Sequence, residues 1–133
     1  MQKFPDWKID LNYKMSWKER IEGLSRCSVF VQDIISYINI WGRATLEACA
    51  LEVPALQNYS PSVSVHGGDK LGDIPVIQVN EDNFESELRK LLEDEGYRKD
   101  VGKRSRKWVR EYFAYSVIGK MYSNLYHEFI SEI

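Results

Sequence analysis

Apolar residues recur along this chain with two different periods, and the changes of period divide it into elements. Trp7, Ile9, Leu11 and Tyr13 alternate with Lys8, Asp10 and Asn12, the period-two pattern of a strand with one buried face. Ser16-Trp17-Lys18-Glu19 follows as a capping box, in which the serine and glutamate satisfy each other's free N–H groups. Trp17, Ile21 and Leu24 then fall at helical spacing, predicting a helix over about 16–26. Ser28 to Gln32 is short, β-rich and nearly all apolar, which suits a strand covered on both faces. Residues 33–41 read as a loop, Arg43 to Leu51 as a helix, and Val53 to Gln57 as a second short strand. A long loop over 58–74 precedes a third apolar strand, Pro75 to Val79. Three apolar stripes at helical spacing close the chain: Phe84, Leu88, Leu91 and Leu92; Val101, Trp108, Val109 and Tyr112; and Ile118, Tyr122, Leu125 and Phe129. A helix junction is expected near residues 113–116, with Ser116 as a candidate cap.

Strands alternating with helices imply an α/β fold: a three-layer, Rossmann-like domain with a mainly parallel sheet and C-terminal helices. In such sheets ligands bind beyond the carboxyl ends of the strands. The loops over 33–42 and 58–74 both lie at that edge.

Composition narrows this picture only modestly. The 133 residues suit one domain, and 44% of them are hydrophobic, enough for a core. Eighteen basic against 20 acidic residues give a net charge of -2, which argues against nucleic acid as a partner. Cys27 and Cys49 form no C-x-x-C pair and are expected to be reduced and buried. No apolar run approaches the roughly 18 residues that span a bilayer. The first residues lack the apolar stretch of a signal peptide, so the cytoplasm is the expected compartment. The two histidines and two cysteines are too scattered to form a metal site. His66, beside Gly67-Gly68, could move a proton near neutral pH, but a solvated loop histidine is the commoner case, and His127 reads as structural or exposed.

Chemistry concentrates at Asn39-Ile40-Trp41-Gly42-Arg43-Ala44-Thr45-Leu46-Glu47. Gly42 allows close approach to the backbone. Arg43, Ala44 and Thr45 offer free N–H groups at a helix N-terminus, where the dipole favours an anion such as a diphosphate. Arg43 adds a planar cationic fork. Glu47, one turn further in, can accept hydrogen bonds from vicinal hydroxyls such as those of ribose. The plainer reading of the same residues is an ordinary glycine N-cap followed by a solvated glutamate. Neither G-x-G-x-x-G nor G-x-x-x-x-G-K-[ST] is present.

The wider pattern resembles a family. Ser25-Arg26-Cys27-Ser28-Val29-Phe30-Val31, the loop, and Gly42-x-x-x-Leu46-Glu47-Ala48-Cys49-Ala50-Leu51-Glu52-Val53-Pro54-Ala55 look like the C-terminal, nucleotide-sugar-binding domain of GT-B-fold glycosyltransferases of the retaining, group 1 type. That family typically shows A-D-V-F-V, then E-G-F-G-x-x-x-x-E-A-M-A-x-G-x-P-V. The resemblance covers about residues 15–130, is most specific over 25–55, and implies a domain that is incomplete on its N-terminal side. It implies that Glu47 binds the nucleotide ribose and that Gly42, Arg43 and Ala44 face the donor diphosphate and sugar, with Trp41 at the family's aromatic position. Asn39 stands where the family has its first glutamate, near the donor sugar. It can hydrogen-bond a hydroxyl but cannot carry the charge, so no catalytic residue is assigned.

The implied ligand is a nucleotide diphosphate-sugar, taken as a substrate, with no cofactor and no metal. The implied partner is an acceptor-binding domain or subunit, because 133 residues cannot hold both halves of such an enzyme. The apolar face of the last helix offers a second contact, to another copy of the chain. The basic run over Lys99 to Arg110 is either a solvated helix face or a local contact to an anionic membrane surface. Two other readings remain beside the enzyme part: a non-catalytic binding or interaction module derived from the same fold, and a phosphotransfer receiver domain, for which Asp33 alone is thin support.

Overall fold

A computed structural model describes residues 4–11, 14–35, 41–59 and 71–133. In chain order it contains α1 (Trp17–Leu24), β1 (Phe30–Gln32), α2 (Arg43–Ala50), β2 (Ala55–Gln57), β3 (Ile77–Gln78), α3 (Phe84–Glu93), α4 (Glu95–Tyr112) and α5 (Tyr115–Ser131). The three strands form one parallel sheet in the order β1-β2-β3. Phe30 lies opposite Ala55, Gln32 opposite Gln57, and Gln57 opposite Gln78. The fold is therefore α/β with a small parallel sheet and several helices.

Local signals set the helix starts. Ser16 caps α1: its Oγ accepts from the Glu19 N–H, and the Glu19 carboxylate accepts from the Ser16 N–H at 2.8 Å. Both halves of the predicted capping box are thus present. Asp94 caps α4 by accepting from the Tyr97 N–H at 2.8 Å. The predicted cap at Ser116 does not form. Ala114 is the N-cap of α5, and Ser116 lies inside that helix.

The predicted strand over Trp7 to Tyr13 does not form over its described part, residues 7–11. Residues 7–11 are irregular, and Ile9 and Leu11 are exposed; residues 12 and 13 lie outside the described ones. Alternation alone makes no strand without a neighbour to pair with, and the described strands pair only with one another. The segment is held through aromatic faces instead. The guanidinium of Arg89 lies 5.0 Å from the Phe4 ring, and that of Arg98 lies 5.3 Å from the Trp7 ring.

Successive residues of β2 point to opposite faces and feed separate parts of the core. Ala55 packs with Trp41, Cys49, Tyr59, Leu71, Val76 and Trp108. Leu56 packs with Val79, Leu91 and Val101. A third cluster, Leu24, Ala48 and Val53, ties α1 to α2. Cys49 is buried, and burial pushes its thiol up to about 12. Cys27, expected to be buried, is only half covered. It sits just past the end of α1, where its Sγ donates to the Gly23 carbonyl at 3.3 Å.

The end of α2 carries a strained residue. The Val53 N–H donates to the Ala48 carbonyl at 2.9 Å and the Glu52 N–H to the Cys49 carbonyl at 3.1 Å. This is the double closure of a Schellman motif, with Val53 packed on Ala48. The residue at its turning point must be left-handed, and Glu52 has φ +61°. Glycine takes that conformation freely, whereas a side chain there costs about 1–2 kcal/mol. Glu52→Gly is therefore expected to raise stability by about 1 kcal/mol, after loss of the 3.3 Å Arg106–Glu52 pair and the added freedom of the unfolded chain. Urea denaturation checks it; a midpoint that falls would contradict it.

Candidate functional site

Gly42 is the N-cap of α2, in ordinary extended backbone with φ -69° and ψ 157°. Thr45 and Leu46 return their N–H groups to its carbonyl at 3.1 and 3.3 Å. The N–H groups of Arg43 and Ala44 have no intrahelical acceptor, as at any helix start. Arg43 is exposed, and among the described residues no carboxylate pairs with it. Arg43 and these two N–H groups stand at the head of an eight-residue helix; the Thr45 N–H, expected to be free as well, is taken up by the Gly42 carbonyl.

Its position follows from the crossover. Gln32 ends β1 and Gln57 ends β2, and the two are in register. Thr45, fully buried in the first turn of α2, reaches both: its Oγ1 lies 2.7 Å from Gln57 Oε1 and 3.0 Å from Gln32 Oε1. A hydroxyl has one proton to donate. It serves the shorter contact, and Gln32 completes the set only with its amide turned over. Gln78 ends β3 in the same register and donates to the Tyr59 carbonyl at 2.9 Å. The carboxyl edge of the sheet thus carries one glutamine per strand, with the α2 mouth beside the first two.

Gly42 has a different job from the one its sequence suggests. Its φ is one that any residue adopts, and the place of a missing Cβ is filled by the side-chain amide of Gln32. The glycine admits a close approach, but the group that approaches belongs to the same chain.

Glu47 is not a free carboxylate. Arg20 of α1 grips it with two hydrogen bonds, Nε to Oε2 at 2.6 Å and Nη2 to Oε1 at 3.0 Å, and the Glu47 side chain is 15% exposed. The Glu47 carboxylate holds the Arg20 guanidinium above its ordinary pKa. Such a bidentate pair is the geometry for which arginine is suited. Among the described residues no other donor reaches the carboxylate.

Asn39 lies outside the described residues, as do His66, Gly67 and Gly68. Trp41 is buried among Tyr59, Trp108 and Phe113, with ring centroids 5.3, 5.1 and 6.3 Å away. Among the described residues its buried indole N–H has no acceptor. Among the described residues no group of three His, Cys, Asp or Glu side chains could hold a metal ion, and no helix is long and apolar enough to cross a membrane.

A shallow groove of about 540 Å³ lies elsewhere, lined by Glu52, Lys103, Arg106, Lys107, Arg110 and Glu111. Glu52 places it at the opposite end of α2 from the mouth. Much of the basic run around it is internally paired: Lys99 with Glu95 at 2.5 Å, Arg104 with Asp100 at 2.8 Å, Arg106 with Glu52 at 3.3 Å and Lys107 with Glu111 at 3.8 Å. These pairs are exposed and contribute little to stability, but they reduce the charge offered to an anion.

Sequence reasoning did not find Arg20 or the glutamine row. Arg20 was legible in principle, since it lies one helical turn before the buried Leu24 and so on the inward side of α1. The row could be seen only once the strand register was known.

Comparison with known proteins adds no identity: no family model, curated protein or solved structure matches the chain.

Proposed function

We propose that the chain is the donor-side, nucleotide-sugar-binding domain of a GT-B-type glycosyltransferase, acting as a fragment or subunit with an acceptor-binding partner, and that its sheet and helices form a three-layer, Rossmann-like unit. The observation that carries this reading is the head of α2, with the exposed Arg43 and two N–H groups that have no acceptor among the described residues, beside the carboxyl ends of β1 and β2. That is where parallel α/β sheets take ligands. A diphosphate would be held by the Arg43 and Ala44 N–H groups and by the Arg43 guanidinium. Ribose hydroxyls would donate to the outer lone pairs of Glu47 while Arg20 fixes the carboxylate. A second support is conformational: the left-handed Glu52 occupies the position at which the family pattern carries glycine.

In this reading the domain contributes positioning and neutralisation of the leaving diphosphate. The partner contributes the acceptor. Two observations favour a second reading, a non-catalytic interaction module of the same fold. Arg20 already engages Glu47, and Gln32 already fills the space beside Gly42.

Calorimetric titration with nucleoside diphosphates and nucleotide diphosphate-sugars separates the two. The first reading predicts saturable binding that Glu47→Ala weakens by about 10- to 100-fold, the worth of one hydrogen bond to a charged group. Circular dichroism would show that the variant still folds. Absence of binding to any of these ligands at millimolar concentration would discard the donor site and leave the interaction module.

A further inference from the structure

Helix α5 presents an apolar seam that the rest of the domain leaves uncovered. Val117, Ile118 and Met121 are half covered, no residue of α5 is buried, and every residue from Tyr122 onward is exposed. Tyr115, Ile118, Tyr122, Leu125 and Phe129 are spaced by three, four, three and four residues, the a/d period of a helix that packs against another helix. Tyr126 and Ile130 widen the same side, Ile133 follows just past the end of the helix, and all three are exposed.

We propose that α5 pairs with the α5 of a second copy of this chain. Area and charge together fit that occupant. Tyr115, Tyr122, Tyr126 and Phe129 are 97, 60, 70 and 66% exposed, which leaves roughly 600 Å² of aromatic surface in water at 150–250 Å² per side chain. Leu125, Ile130 and Ile133 bring the face to the order of the 800 Å² per partner that a specific interface buries. A patch of this size is larger than a monomer ordinarily leaves in water. The charge pattern disfavours a lipid surface, because an interfacial helix carries lysines and arginines along its polar face, and α5 has only Lys120 among its basic residues besides His127. With Glu128 as its one acid, two copies of α5 meet with little like-charge repulsion. A two-fold axis then places the same seam on both sides, as in most homodimers.

The experiment is sedimentation equilibrium of the full chain from micromolar to near-millimolar concentration, with Leu125→Glu and Phe129→Glu alongside. Both positions are exposed, so the variants keep the domain fold, which their circular dichroism and melting at high dilution verify. The expected result is a monomer–dimer equilibrium for the native chain, with a dissociation constant raised at least 10-fold in either variant. A monomer at every concentration would overturn the proposal. So would a dimer that both substitutions leave intact, or co-flotation of the native chain with phosphatidylcholine–phosphatidylserine vesicles that either substitution abolishes.

Discussion

Trp108→Ala is expected to destabilise the protein by about 3–5 kcal/mol, the cost of truncating a buried large aromatic, against total stabilities of about 5–15 kcal/mol for domains of this kind. The side chain ties α4 to Trp41, to Phe113 and to the backbone at Leu71. Its ring meets Trp41 edge-on at 5.1 Å, Phe113 at 5.0 Å and Tyr112 at 6.5 Å, while its indole N–H donates to the Leu71 carbonyl at 3.0 Å. Truncation removes the partner that Trp41 packs against, one residue from the α2 cap, and strands a buried carbonyl. Trp108→Phe separates the two contributions. It keeps most of the apolar contact and loses the hydrogen bond, with an expected cost of about 1–3 kcal/mol. Urea denaturation with an unchanged slope measures both. A loss below about 1 kcal/mol for the alanine variant would mean that this cluster does not form as described.

Gly102→Ala is the second large effect, and its sign runs against helix propensity. Alanine in place of glycine inside an exposed helix gains about 1 kcal/mol. Gly102, however, is buried in α4, and a Cβ there would run into the Glu52 carbonyl oxygen and lie 3.0 Å from its carbon. Both neighbours are backbone, and Glu52 is already fixed by the two hydrogen bonds that end α2. Neither side can move without opening that cap. Overpacking of this kind costs about 1–3 kcal/mol and occasionally more. The expected net result is a loss of about 1–2 kcal/mol. A stabilised variant would show that α4 and α2 do not approach this closely.

The two substitutions show which kind of order the sequence exposes. Helices were legible because their signals are local. Ser16 and Glu19 announce a start, and the spacing of Phe84, Leu88 and Leu91 covers about two turns of one face. Strands were legible as apolar runs but were overextended. The run Val53 to Gln57 pairs only over Ala55–Gln57, because Val53 closes α2. Trp7 to Tyr13 shows the same limitation in stronger form, since over residues 7–11 the alternation pairs with none of the described strands. Pairing is non-local, and a period of two does not reveal whether a partner exists.

The candidate site divides along the same line. Gly42, Arg43 and Ala44 at a helix mouth follow from consecutive residues. Arg20 lies 27 residues from Glu47, and only the packing of α1 against α2 joins them. Gln32, Thr45 and Gln57 meet only because β1 and β2 are parallel and in register.

The most direct test of the account follows the backbone amides by nuclear magnetic resonance while the native chain is titrated with a nucleoside diphosphate. A donor site at the head of α2 predicts saturable shifts centred on Arg43, Ala44 and Thr45 that Glu47→Ala weakens. Shifts confined to the Lys103–Arg110 face of α4, or no saturable shift at all, would contradict it.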